Sequence, residues 1–161
     1  MNNKLQPLHR IDTFCGERQG YQPFISQRGW LVVLLNREPR FDPANVGSVE
    51  RHNQTDEVFV LTRGHSLLFI FVDETINAID MQPGVIYNVT SGTWHGILGT
   101  EDATWLIVES SDTSTKNSDY RQMNENELGT LRGQFPAWFL KGVLIGGYAP
   151  IGGDEIGQEV V

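Results

Sequence analysis

A single cysteine, Cys15, is all the thiol this chain has. It closes no internal disulfide, which points to a reducing compartment, and without a Cys-x-x-Cys pair zinc-ribbon readings fall away. Nothing beside it suggests activation, so it reads as a small packed side chain. Positive charge is also scarce: 12 Lys and Arg stand against 20 Asp and Glu, a net charge of −8, with a pI near 4.9. An acidic surface with no basic cluster repels phosphate backbones and anionic lipid heads, so neither nucleic acid nor membrane is an expected partner. Long apolar runs are missing too. The opening MNNKLQPLHRIDTF holds no stretch of signal-peptide length. WLVVLL at 30–35 and LLFIFV at 67–72 fall well short of the roughly 20 apolar residues of a spanning helix. A soluble, cytoplasmic protein is the expectation. There is no Gly-rich phosphate loop and no nucleophile elbow, which excludes nucleotide hydrolysis and serine-hydrolase chemistry. The serines of SSDTSTKNS at 110–118 read as a polar loop.

What is present is strand-sized. The 161 residues suffice for one domain with a real core and are too few for two. Apolar and β-branched runs predict a buried strand at 30–36. Shorter ones follow at 48–52, 57–62, 66–72, 76–81, 85–89, 96–98 and 104–110, each bounded by Gly, Asn, Asp, Pro or Thr turns. Many short strands with no helical period between them mean an all-β sandwich or barrel. Residues 1–29, broken by Pro7, Gly16, Gly20, Pro23 and Gly29, read as an N-terminal arm. The barrel occupies 30–123, and 124–161 form a C-terminal extension. Within the extension, Asn124 with Glu127 has the spacing of a capped helix start. Leu128, Leu131 and Phe135 then recur at helical spacing, against the weakening effect of Gly129 and Gly133. The stretch PAWFLKGVLIGGY at 136–148 is apolar for a tail. Left in water it makes a large exposed patch, so a homodimer is expected, with folding back onto its own barrel as the alternative.

Two segments carry chemistry: RHNQTDEVFVLTRG at 51–64 and GVIYNVTSGTWHG at 84–96. Residues two apart in a strand face one side, so Glu50 and His52 project together. A turn at 53–56 returns the chain with Glu57 at the head of the next strand, and His95 follows a second turn. If the two turns are neighbours in space, His52, Glu57 and His95 form a set of N and O donors for a divalent metal. Mn, Fe, Ni and Zn all suit such a mixture. Glu50 is then a fourth ligand or a catalytic group that moves a proton. The structural alternative is a satisfied polar cluster at a barrel mouth. By the same alternation Trp94 faces away from His95, and Arg51 points outward. The aromatics are core by default, with Tyr87 the preferred ligand-binding side chain because of its hydroxyl. His9 and His65 have no matching partner.

This pattern resembles the cupin superfamily, whose fold is a double-stranded β-helix or jelly-roll barrel. In its first motif His52 matches the second histidine, Glu57 the glutamate and Gly64 the glycine. In its second motif Gly84, Gly92 and His95 match. The chain departs from the pattern at Glu50, which stands at the first histidine position, at Thr90, in place of a proline, and at Gly99, in place of an asparagine. The resemblance covers about 30–110. It implies a metal site at His52, Glu57 and His95 and a small-molecule ligand, but no particular reaction, since cupins include isomerases, epimerases, lyases, dioxygenases, storage proteins and sugar-sensing domains. Two functions remain open beside a third, a degenerate barrel whose main role is assembly. One is a metal-dependent isomerase, lyase or oxygenase acting on a sugar, sugar acid or keto acid. The other is a binding or sensing barrel without metal or turnover. With no attached DNA-binding or catalytic domain in the chain, a pure sensor is the less natural of the two.

Overall fold

The computed structural model describes residues 4–8 and 11–139. A short antiparallel pair, β1 (Lys4–Leu8) and β2 (Ile11–Phe14), comes first. Ten further strands follow: β3 (Gly20–Gln27), β4 (Trp30–Asn36), β5 (Ser48–His52), β6 (Glu57–Arg63), β7 (Ser66–Val72), β8 (Thr75–Asp80), β9 (Ile86–Val89), β10 (His95–Gly99), β11 (Thr104–Glu109) and β12 (Ser118–Gln122). They form two antiparallel sheets of five, ordered β12-β5-β10-β7-β8 and β3-β4-β11-β6-β9. This is an all-β jelly roll of two antiparallel sheets, the fold class that the strand spacing predicts.

The barrel starts earlier than expected, and its last strand lies in a stretch without an apolar pattern. The reading of 1–29 as an arm meets β3, which pairs with β4 from Gly20–Asn36 to Gln27–Trp30. Pro23 lies in this strand, beside a register shift. An edge strand tolerates it because no ladder partner needs its missing N–H. At the other end, the polar loop read at 110–118 runs into β12, which starts at Ser118 and pairs with β5 from Ser118–His52 to Gln122–Ser48.

Each sheet face has its own packing. Inside the barrel, Val33, Leu35, Phe59, Leu61, Leu68, Ile97, Trp105 and Ile107 form one core. The Trp105 indole N–H donates to Ser66 Oγ at 2.8 Å, and that hydroxyl donates to the Leu98 carbonyl at 2.9 Å, so this buried polar step is satisfied. On the outer face of the first sheet, Val49, Leu67, Phe69 and Leu98 form a second core with Leu128 and Leu131 of the helix α1 (Glu125–Arg132) and with Phe139. The helix starts where the sequence predicts. Asn124 Oδ1 accepts from the Glu127 N–H at 3.0 Å, and Glu127 Oε2 accepts from the Asn124 N–H at 2.8 Å. Beyond it, the Gln134 side chain donates to the Ile76 carbonyl and accepts from the Ala78 N–H, covering part of the free edge of β8. The Trp138 indole donates to Asp80, and Phe139 is 4% exposed. The start of the apolar segment 136–148 therefore folds back on its own barrel, while 140–148 lie outside the described residues. No described helix is long and apolar enough to cross a membrane.

Candidate metal centre

The strand alternation on β5 decides which side chains enter the barrel. Val49 packs outward beneath α1, and Arg51 stacks its guanidinium 4.7 Å from the Trp94 ring centroid while binding Asp119 at 2.7 Å. Glu50 and His52 therefore turn inward, where both line one cavity. Pairing extends this row: Tyr120 of β12 and His95 of β10 both stand opposite Glu50, and Ser118 stands opposite His52. Glu57 opens β6 in the other sheet.

The two motif turns are joined directly. The Gly92 N–H donates to the His52 carbonyl at 2.7 Å. Gly92 has φ +78, a left-handed conformation that glycine adopts without a Cβ penalty. Asp56 of the first turn accepts from the Ser91 N–H of the second turn at 3.0 Å and from the Asn88 amide of β9 at 2.9 Å. These bonds hold Asp56 below the ordinary carboxylate range, the Asn88 bond contributing most.

The result is a closed cluster. Glu57 Oε2 lies 3.0 Å from His52 Nε2 and 3.0 Å from His95 Nε2. The three residues offer donor atoms all within 4.8 Å of one another. His52, Glu57 and His95 are 6%, 5% and 1% exposed. Each imidazole is oriented by its other nitrogen: His52 Nδ1 lies 2.8 Å from Ser118 Oγ, and His95 Nδ1 lies 3.0 Å from the Thr93 carbonyl. A carbonyl only accepts, so the bonding network assigns the His95 proton to Nδ1. A neutral His95 then presents the Nε2 lone pair to a carboxylate oxygen. Two acceptors at that separation require a cation between them, either a proton or a metal. Buried imidazoles fixed by hydrogen bonds at the remote nitrogen, with one carboxylate, are a competent donor set for a divalent first-row metal.

The electrostatics agree. The Glu57 hydrogen bond is the main cause that raises His52 above its usual value, and it outweighs burial. Burial is the largest influence on His95 and lowers it, yet the bond to Glu57 and its charge leave the group raised. Burial pushes Glu57 up, and the two histidines overcome this and hold it low. Glu50 goes the other way: burial raises it first, and the neighbouring Glu57 charge raises it further. Glu50 accepts no hydrogen bond from any described residue.

The cluster opens into a cavity of about 430 Å³ between the sheets. Tyr87 is not part of that wall. It packs against the inner core from β9, and its hydroxyl accepts from the Gln82 N–H at 2.8 Å beside a separate surface depression. The phenols that line the cavity are Tyr21 of β3 and Tyr120 of β12, with the buried Glu109 at the end of β11. Tyr21 donates its phenol to Glu109 Oε1. Sequence reasoning passed over all three. Glu109 had a usable signal, because it continues the inward series Trp105, Ile107, Glu109. Tyr21 and Tyr120 lie on the two edge strands whose sequence is too polar or too broken to read.

No family model matches the chain, and no curated protein matches it. Solved structures do resemble it. A cupin-2 domain containing protein from Shewanella frigidimarina is 25% identical over 58% of this chain and 83% of its own, with a TM-score of 0.44. KdgF from Halomonas sp. is 13% identical over 60% and 81%, with a TM-score of 0.43. An oxalate decarboxylase variant from Bacillus subtilis is 15% identical over 56% and 23%, with a TM-score of 0.42.

Proposed function

We infer, for a chain with the cupin fold, that the barrel mouth binds a divalent metal through His52, Glu57 and His95 and acts on a small polar metabolite held in the cavity beside it. The observation that carries this is the facing of a carboxylate oxygen by two remote-bonded imidazole Nε2 atoms at 3.0 Å. When bound, such a metal polarises a carbonyl or holds a carboxylate of its ligand. The chain's own residues supply the rest. Ser118 and the Thr93 carbonyl fix the imidazole orientations. Glu50 lines the cavity, accepts no hydrogen bond from any described residue and has a raised affinity for protons, which suits a group that takes up or returns a proton at a reacting carbon.

Metal analysis of protein purified without added metal or chelator tests this reading. A stoichiometric metal that disappears in His95→Ala is the expected result. Wild-type protein that stays metal-free after incubation with Mn, Fe, Ni and Zn overturns it. One observation favours a second reading, a binding barrel without metal: with both imidazoles protonated, the cluster satisfies itself through Glu57 alone. The identity of the metal and the reaction class, isomerase, lyase or oxygenase, stay open in the first reading. We also keep the homodimer as a proposal, resting on the apolar composition of 136–148. A monomer by light scattering at micromolar concentration removes it.

A further inference from the structure

The two imidazoles of the candidate centre stand on neighbouring strands, His52 on β5 and His95 on β10, with ring centroids 5.6 Å apart. Their spacing follows from how β5 and β10 are held together, and the backbone holds them by little. The two strands meet in one register pair, His95–Glu50, and the ladder stops there. On its other side β10 stays paired with β7 from His95–Ile70 to Gly99–Ser66, and β5 stays paired with β12 from Ser118–His52 to Gln122–Ser48. The other backbone link at this end is the Gly92 N–H, which donates to the His52 carbonyl at 2.7 Å.

On the outer face, directly behind the ligands, side chains supply what the ladder lacks. One step from the His95–Glu50 pair, the antiparallel register sets Arg51 against Trp94. The Arg51 Cζ lies 4.7 Å from the Trp94 ring centroid. Asp119, the register partner of Arg51 on β12, accepts from its Nε at 2.9 Å and from its Nη2 at 2.7 Å. Arg121 of β12 joins the same stack, with its Cζ 5.2 Å from the Trp94 centroid and 4.6 Å from that of Phe71, and both of its terminal nitrogens donate to Glu127. The Trp94 carbonyl accepts from the Phe71 N–H at 2.9 Å. Asp119, Arg51, Trp94 and Phe71 thus form an outward row across β12, β5, the approach to β10 and β7. It runs one residue away from the inward row Tyr120, Glu50, His95 and Ile70. A guanidinium bound by a carboxylate and laid on a ring is fixed in orientation as well as attracted. Metal ligands need such fixing from the groups that support them. We propose that Trp94 and Arg51 are positioning residues, whose stack clamps the approach to β10 against β5 and sets the spacing of His95 and His52. The consequence for metal affinity rests on the metal reading, and the clamp itself does not.

The test combines metal affinity with hydrogen exchange, both on the full chain. Zn and Mn are the probes, titrated in competition with a chelating dye against wild type, W94L, W94F, R51M and the double variant W94L/R51M. W94L removes the ring, and its Kd should rise about tenfold, the lower end of what loss of a ligand-orienting group costs. R51M should weaken binding in the same direction, and the double variant should be no weaker than W94L, because both changes remove one contact. W94F keeps a ring face for the guanidiniums and should restore most of the affinity. Wild-type affinity in both W94L and R51M overturns the proposal, and so do additive losses in the double variant. A lower urea midpoint with unchanged affinity assigns the stack to packing alone and overturns it too. Should W94L fail to fold, R51M decides, since Arg51 is half-exposed. Hydrogen exchange on chelator-treated protein separates the clamp from the metal reading. In R51M the Gly92 amide, bonded across to the His52 carbonyl, should exchange several-fold faster. The Val108 amide, on a strand paired to Val32 and Val58, should keep its wild-type rate. Faster exchange at Gly92 alone, in a protein whose wild type binds neither metal, supports the clamp and counts only against the metal reading. Unchanged exchange at Gly92 overturns the clamp and leaves the metal reading standing.

Discussion

The two faces of the sheet β12-β5-β10-β7-β8 are made by the same strands and do opposite work. Inward, Glu50, His52 and His95 bring titratable groups into the barrel. Outward, Val49, Leu67, Phe69 and Leu98 form an apolar layer under α1. On β10 the switch occurs within one strand: His95 and Ile97 face in, and Leu98 faces out. The period of two makes this separation possible, because neighbouring residues never share a face. These outward residues serve packing alone, whereas the inward ones carry the candidate chemistry beside apolar neighbours such as Leu68 and Ile97, so substitutions at Glu50, His52 or His95 and in the outer apolar layer should have separable consequences.

The largest effect should come from the outer face. Leu131 is fully buried and Phe69 is 1% exposed. Leu131→Ala or Phe69→Ala should lower unfolding free energy by about 3–5 kcal/mol through lost burial and a residual cavity. Urea denaturation of chelator-treated protein measures it. The folded fraction should keep wild-type metal content, and loss of metal in step with stability would break the separation of faces. From the inner face, His95→Ala should bring metal content to background. The apoprotein should lose less, about 1–3 kcal/mol for a buried Glu57 left with one partner. An apoprotein that fails to fold would show that the cluster is a structural keystone. Glu50→Gln should retain metal or bind it more weakly, since the three-donor set survives.

These contrasts follow from how much of each face was legible. Apolar runs at 66–72 and 104–110 predict β7 and β11 within a residue or two of their bounds, because both strands are buried on the barrel side and half-covered outside. The motif spacing brings His52, Glu57 and His95 together from two sheets. The parts of the cavity that lie on edge strands are not legible in the same way. Tyr21 sits on an edge strand containing a proline, and Tyr120 on an edge strand reading SDYRQ. An edge strand needs only one ladder and little apolar surface, so it leaves a weak pattern. The hydroxyl alone marks Tyr87 in the sequence, and whether it reaches the cavity depends on how the sheets close, which no local pattern carries.

The motif glycines sharpen the comparison at a smaller scale. In sequence Gly64 and Gly92 look equivalent, and both have positive φ, +74 and +78. A Cβ on Gly64 would stand 2.8 Å from the Ala103 Cα and 2.8 Å from Thr100 Oγ1, whereas one on Gly92 would meet nothing within 4 Å. Gly92→Ala should cost only the left-handed backbone penalty, about 1–2 kcal/mol. Gly64→Ala adds backbone overpacking of about 1–3 kcal/mol to the same penalty. Equal losses in thermal or urea unfolding of the two variants would show that the loop around Ala103 gives way freely.

The smallest effect lies at the edge of the outer face, where α1 begins. The Glu127 carboxylate receives Arg121 at 2.9 Å through both oxygens and the Asn124 N–H at 2.8 Å. The Arg121 bonds are the main cause that holds Glu127 below its ordinary 4.5, with the backbone bond adding to them. A folded value below the unfolded one means that the folded state binds the proton less readily. The stabilisation is thus fully present above the unfolded value and is lost as pH falls through the folded one. The group is close to solvent, so screening keeps the contribution small. Glu127→Gln should therefore be less stable than wild type near pH ~6, with the gap closing toward pH ~3 as the wild-type carboxylate protonates. Taking the difference between the two proteins cancels the titration of the buried cluster, which is the same in both. Urea unfolding across that range measures the gap. A gap that stays constant with pH would assign the contribution to the neutral capping bond, which glutamine partly retains, and would remove the ion pair with Arg121 from the account of how α1 is held over the sheet.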